Sequence, residues 1–551
     1  MIESGNLEGK WQVFKESLVQ SAEEVIGKKE NIRNEGWFDQ ECKLWIDEKN
    51  KKRKVLLQRE IRQNYEQYKE ARRKANQIIR MKKRNFIKEN IIKLEELNSQ
   101  NESRKFYQAL KKMTKGFQPR VDACKDKNGN VIVEEEKVLD RWAEFFEDLL
   151  NAEGKEMNEN EKPAFLTAEP YMIKPSIDEI EEIIKQQRNG KAPGEDQIPI
   201  EFLKYGGKEM INLLHKIISD VWDQEEIPND WKKGLICPIF KNGDKMRCQN
   251  YRGITLLNVA YKIFSSLIQR RLSKYAEEIL GEYQCGFRPG RGTTDQIFVL
   301  RQSMEKCFEY RQDLHILFID FQQAFDRLNR NKMMYVLESY GIPKKLVKLI
   351  SLTLHETTAK VIVAGRLSKE INISTGVRQG DVVSAVLFNL TLHEIMKDLS
   401  LEGSIIYKSY QVCAYADDIA LVARSKKGLM EIFNILEERS QGLGLKINEM
   451  KTKYMLMTTN SNITIEPTIS VGNYSFQCVN KFCYLGSLVN NKNIISEEIY
   501  KRIMAGNRAY YCNLNLLKSS LLSRNTKLKL YKTLIRPVVT YGAETWTMTK
   551  A

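Results

Sequence analysis

Residues 411–423 read QVCAYADDIALVA, two short apolar runs separated by a pair of adjacent acids. Val412–Ala414 and Ile419–Val422 are expected to form strands, with a tight turn around Ala416-Asp417-Asp418 at the tip of a β-hairpin. Two carboxylates crowded at such a tip repel each other unless a cation joins them, and hard divalent ions such as Mg2+ prefer carboxylate oxygen. Because successive strand side chains face opposite sides, Asp417 is expected to be the direct ligand and Asp418 the looser one. Aspartate is also common in turns for local hydrogen-bonding reasons, so the hairpin alone does not separate a metal site from an ordinary turn.

A second stretch decides between them. Leu314-His315-Ile316-Leu317-Phe318-Ile319 is an almost continuous apolar run ending abruptly in Asp320. A strand buried on both faces has this pattern. A carboxylate at its exit can converge with the hairpin tip to hold two metal ions about 3.5–4 Å apart, an arrangement suited to in-line nucleotidyl transfer.

These residues lie in blocks that resemble those of a known family. FIDFQQAFDRLNR (318–330), TGVRQGDVVSAVLFNL (375–390), AYADD (414–418), GLKINEMKTKYM (444–455) and FCYLGSLV (482–489) follow one another as in the reverse transcriptases of non-LTR (LINE-type) retrotransposons. With the segments before them, the resemblance runs over roughly residues 165–546. It implies an α+β, right-hand polymerase with fingers, palm and thumb, a split βαββαβ palm and an N-terminal helical extension. The implied boundaries are 1–115 for a basic extension, 116–165 for a connection, 166–310 for fingers, 311–490 for palm with a primer-holding hairpin, and 491–551 for a truncated thumb.

The resemblance also implies roles for single residues. Asp320, Asp417 and Asp418 would hold two Mg2+ ions, with Mn2+ as a substitute. Lys241 and Arg252, flanking a Gly-Asp turn, would hold the triphosphate of the incoming nucleotide, whose charge exceeds that of its bound ion. Phe325 would exclude a 2′-hydroxyl, the group that separates the two sugars. Gln379 and Gly380 would lie under the templating base pair. Arg288, Arg291, Arg378 and Tyr415 would contact template or primer, and Leu485 and Gly486 would hold the primer end. Lys451 would protonate the leaving pyrophosphate, with Lys453 a nearby alternative. Ala385 stands where the family usually has proline, which loosens the start of the helix expected at 382–399.

Composition agrees with a polyanionic partner. The 551 residues carry 88 Lys+Arg against 72 Asp+Glu, a formal charge of +16. That length exceeds a single core, so several subdomains are expected. No apolar run approaches the roughly 20 residues that span a bilayer. The chain is therefore expected to be intracellular, working in the nucleus at the site of DNA synthesis, with the cytoplasm as the alternative; KNKKRK (49–54) would suit nuclear import. The 10 cysteines lack metal-ligand spacing and are expected to be reduced thiols of ordinary packing.

Residues 1–115 read as polar helices with an apolar stripe through Leu57, Ile61, Tyr65, Tyr68, Ala75 and Ile79. They serve either as a solvated helical pair or as a basic arm gripping phosphates. Ser176-Ile177-Asp178-Glu179 opens a helix with a capping-box pattern, and Thr358–Val363 with Lys369–Ile373 forms a hairpin across Gly365. The reading as a whole is an RNA-directed DNA polymerase extending a 3′-hydroxyl on an RNA template with dNTPs. The partners are RNA template, DNA primer or target, and an endonuclease supplied in trans or by an upstream domain; no membrane is involved. A catalytically silent nucleic-acid-binding relic or fragment of such an element is the alternative.

Overall fold

In the computed structural model the apolar run Leu314–Ile319 is the central strand of a six-stranded sheet. It is buried on both faces, with Ile316 and Leu317 fully enclosed. Residues 6–27, 36–114, 123–151, 172–397, 399, 410–460 and 466–546 are described. They fall into one unit of Met1–Ile26, Arg120–Ile495 and Glu544–Ala551, and another of Gly27–Pro119 and Ser496–Ala543.

In the first unit the sheet runs 468–471, 474–478, 453–457, 314–319, 418–423, 410–415. The central strand pairs antiparallel with Asp418–Ala423 on one side and Lys453–Met457 on the other. With the helices Val382–Met396 and Lys426–Gly442 this is the βαββαβ arrangement expected for the palm. Phe318 carries the far face, stacking on Phe482 at 4.2 Å from the hairpin of Lys481–Tyr484 and Ser487–Asn490.

A second sheet holds four strands in the order 251–256, 233–240, 357–363, 366–373. The expected hairpin around Gly365 exists as Thr357–Val363 and Arg366–Ile373. Its first strand joins Lys233–Phe240 in parallel, more than 100 residues earlier. Ser176 caps Ile177–Gln186 by accepting from the Glu179 N–H at 3.2 Å, and Ile180, Ile183 and Ile184 form its buried face. The helix Leu7–Val25 packs in this unit through Trp11, which meets Trp231 at 5.6 Å and donates to Asp230 Oδ2 at 3.2 Å.

The second unit joins N-terminal to C-terminal helices. Ile91, Leu94 and Leu97 of Arg62–Ser99 share a core with Phe106, Leu110, Leu516, Leu522 and Leu530. Lys529 sits 4.8 Å from the Phe106 ring and donates to Asn98 Oδ1 at 2.9 Å. The stripe expected through Leu57, Ile61 and Tyr65 is not the buried one, since all three are exposed. The chain reverses at Arg59–Ile61, and Arg62–Ser99 runs back along Gln40–Gln58, with Lys82 on Asp39 and Lys52 on Gln67; of the expected stripe Ala75 is buried, together with Ala71, and Tyr68 and Ile79 are half-buried. No helix among the described residues is long and apolar enough to cross a membrane. All ten cysteines are free thiols.

Candidate active site

The site is assembled where neighbouring strands of the palm end. The ladder between the central strand and Asp418–Ala423 closes with Ile319 opposite Ile419. Asp320 and Asp418 are the next residues at this end of the two strands. Tyr415 pairs with Asp418, so Ala416 and Asp417 are a two-residue turn, and Ala416 takes φ +55°. A positive φ at that position suits the twist of hairpin strands, although an L side chain is strained there. From the loop before the third strand, Lys451 Nζ lies 3.6 Å from Asp320 Oδ2. Asn448 Nδ2 donates to the same oxygen at 3.0 Å. Lys453 is engaged elsewhere, on Met450 O and Gln477 Oε1.

Charge is crowded here. Burial, with the charge of Asp320 added, raises Asp417 above the ordinary carboxylate range, and Arg252 and Lys241 oppose the shift. Asp418 is pushed up to about 6 by burial and then by Asp417 and Asp320. Its side chain reaches solvent, so repulsion from its two neighbours is the firmer of these causes. The pairing with Lys451 is the one ion pair the three acids make among the described residues. Among the described residues no three acidic, histidine or cysteine side chains stand close enough together to hold a metal ion as they are placed. As a donor set, three carboxylates at neighbouring strand ends offer the hard oxygen ligands that divalent cations prefer.

The acids line a cleft of about 520 Å³ together with Lys241, Arg252, Phe325, Gln379, Gly380, Arg378, Tyr415 and Lys451. Phe325 is braced by stacking on Phe388 at 4.5 Å. The Gln379-Gly380 loop is stitched to the second sheet, because Thr255 N–H donates to Gln379 O at 2.7 Å. Gly380 has φ +120°, and a Cβ there would stand 2.7 Å from Thr255 O. Asp381, accepting from the hydroxyls of Tyr261 and Ser265 and from Val383 N–H, fixes the start of Val382–Met396 without a proline at Ala385.

Two expected template contacts are corrected. Arg288 is buried, its guanidinium bound to Glu277 at 2.9 Å and to the carbonyls of Gly281 and Gln284. Arg378 is buried too, donating to the carbonyls of Trp231 and Lys232. Both brace loops through these bonds, with Arg378 still bordering the cleft. Arg291 lies outside the cleft lining in a surface pair with Glu282. Leu485 and Gly486, at φ +45° and +83°, form the turn of the hairpin under Phe318 and do not line the cleft.

Among the other residues lining the cleft are Asp326 and Phe287, whose roles were not legible in the sequence. Asp326 is nine-tenths buried and accepts from Gln379 Nε2 at 2.7 Å. Phe287 is exposed and its ring lies 6.4 Å from that of Tyr415.

The six-stranded sheet and its two helices have the architecture of a right-hand polymerase palm. More particularly, residues 239–489 match the family described as reverse transcriptase (RNA-dependent DNA polymerase). That stretch, just under half of the chain, is what is similar to reverse transcriptases. The chain is 27% identical over 381 residues to the probable RNA-directed DNA polymerase from transposon X-element of Drosophila melanogaster, covering 67% of this chain and 41% of that protein. It is 25% identical over 382 residues to the RNA-directed DNA polymerase from mobile element jockey of the same species, covering 67% of this chain and 41% of that protein. The matched stretch is thus less than half the length of either relative. Among solved structures, apo telomerase from Candida tropicalis is 13% identical, covering 57% of this chain and 58% of that chain at a TM-score of 0.38.

Proposed function

We propose that the chain copies RNA into DNA, adding dNTPs to a primer 3′-hydroxyl, with Asp320, Asp417 and Asp418 holding two Mg2+ ions, or Mn2+ in their place. When bound, such ions polarise the attacking hydroxyl and offset charge on the leaving pyrophosphate. The observation that carries the reading is the convergence of these three acids on the cleft that Lys241, Arg252, Phe325 and Gln379 also line. Lys241 and Arg252 supply the positive charge that binds the triphosphate. Phe325, held rigid by Phe388, forms the floor under the sugar. Gln379 and Gly380 offer an amide and a bare backbone to the nascent base pair. Lys451, beside Asp320, holds a proton within reach of the leaving group. The test is dTTP incorporation by the purified chain on poly(rA)·oligo(dT), compared with poly(dA)·oligo(dT). Incorporation on the RNA template is expected; RNA binding with no incorporation under Mg2+ or Mn2+ would contradict the reading.

Charge separation supports nucleic acid as the partner. Residues 27–119 and 496–543 carry 35 Lys+Arg against 15 Asp+Glu, leaving 53 against 57 for the rest of the chain. The positive excess therefore lies in the second unit. Arg73, Arg80 and Arg84 are exposed on the helix Arg62–Ser99, at spacings that put them on one face. Replacing all three with alanine is expected to weaken RNA and DNA binding evenly across sequences. The slope of log K against log salt should fall by about 2–3, near 0.9 for each phosphate of duplex DNA left without its cation. An unchanged slope would remove this face from the interface.

A further inference from the structure

The metal-binding turn does not support itself. Ala416 holds φ +55° and is 3% exposed, so its N–H points into protein and needs an acceptor there. That acceptor is Gln284 Oε1, at 2.8 Å. The same oxygen accepts from Gly286 N–H at 2.7 Å, and the Gln284 side chain is fully enclosed.

The backbone around Gln284 runs along the outer strand of the hairpin. Ala414 N–H donates to Tyr283 O at 2.9 Å, and Cys285 N–H donates to Ala414 O at 3.0 Å. Gly286 permits the close approach, since a Cβ there would lie 2.3 Å from Ala416 N. This segment is itself anchored, by Asn389 Nδ2 on Gly286 O at 2.7 Å and Gln296 Nε2 on Tyr283 O at 2.8 Å.

We propose that Gln284 is a positioning residue, whose amide oxygen holds the Ala416 N–H and so fixes where Asp417 and Asp418 present their carboxylates to divalent metal. The inference rests on the proposed polymerase function for the metal's role. It concerns this chain's own support of the turn. A buried acceptor at a strained peptide can hold a conformation that the alanine side chain disfavours. Without it the turn relaxes, and the two acids lose their alignment with Asp320.

The test uses the full chain and two readouts besides DNA synthesis. Gln284→Met keeps the volume and removes the acceptor. It is expected to weaken Mn2+ binding, measured by the electron paramagnetic resonance of the free ion, by more than about tenfold. It should also speed amide hydrogen exchange in the peptide spanning 410–423, and raise the Mg2+ needed for half-maximal dTTP incorporation with a smaller change in KM for dTTP. Adding Ala416→Gly, where glycine accepts positive φ without strain, should recover most of the Mn2+ affinity. Unchanged Mn2+ affinity in folded Gln284→Met, or a loss that Ala416→Gly does not reduce, would overturn the proposal. Should Gln284→Met not fold, Gln284→Asn, which retracts the amide by one methylene, carries the test: the same direction is expected, and unchanged affinity overturns it. Activity surviving in Asp417→Asn would instead remove the polymerase reading itself.

Discussion

Replacing Asp417 with asparagine is expected to lower dTTP incorporation on poly(rA)·oligo(dT) by at least ~10³-fold, about 4 kcal/mol of transition-state stabilisation. The amide matches the carboxylate in shape but brings no charge to balance a dication. The same change should stabilise the metal-free protein at neutral pH. Burial and the nearby Asp320 hold Asp417 above the ordinary carboxylate range. Its ionised form therefore costs folded-state stability once pH rises above the unfolded carboxylate value, the cost levelling off past the folded value, and the neutral variant escapes it. Lost activity with raised metal-free stability, read by thermal unfolding with and without Mg2+, separates a site defect from a folding defect. Full activity in the variant would contradict the assignment.

Asp326→Asn is expected to raise stability at pH 8 and to change it little at pH 4. Burial pushes the Asp326 carboxyl up to about 7, although Gln379 and Arg252 both favour its charged form. A folded value above the unfolded 3.8 means that ionisation disfavours the fold. The penalty is absent below about pH 4, grows up to about pH 7 and then levels off, with a ceiling of about 4 kcal/mol at 1.36 kcal/mol per unit. Asparagine still offers an oxygen to Gln379 Nε2, so the loop hydrogen bond at 2.7 Å survives. Urea unfolding at the two pH values checks this. Equal destabilisation at both would mean that the carboxylate is held by partners strong enough to outweigh its burial.

The features legible in the sequence are those written in short-range pattern. The apolar run before Asp320 and the paired acids after Tyr415 announced a central strand and a hairpin, and the structure pairs them as neighbours. Ser176 declared its helix start through a local cap. Illegible features depend on partners far along the chain. Arg378 looked like a cation for nucleic acid, but its acceptors are carbonyls 146 and 147 residues away. Arg288 was expected on the template or primer, while Glu277 and two carbonyls enclose it. Gln284 carries no periodic or charge signal at all; its importance follows from a turn 132 residues later. In the N-terminal helices, spacing revealed amphipathicity but not the reversal of the chain at Arg59–Ile61.

The measurement that bears most directly on the three acids is anomalous scattering from crystals of the protein grown with Mn2+, template-primer and a non-hydrolysable dNTP. Manganese peaks bonded to the carboxylates of Asp320 and Asp417, with Asp418 alongside, are the predicted result. Manganese held elsewhere, or an Asp320 carboxylate more than about 10 Å from the other two and so beyond any shared ion pair, would contradict it.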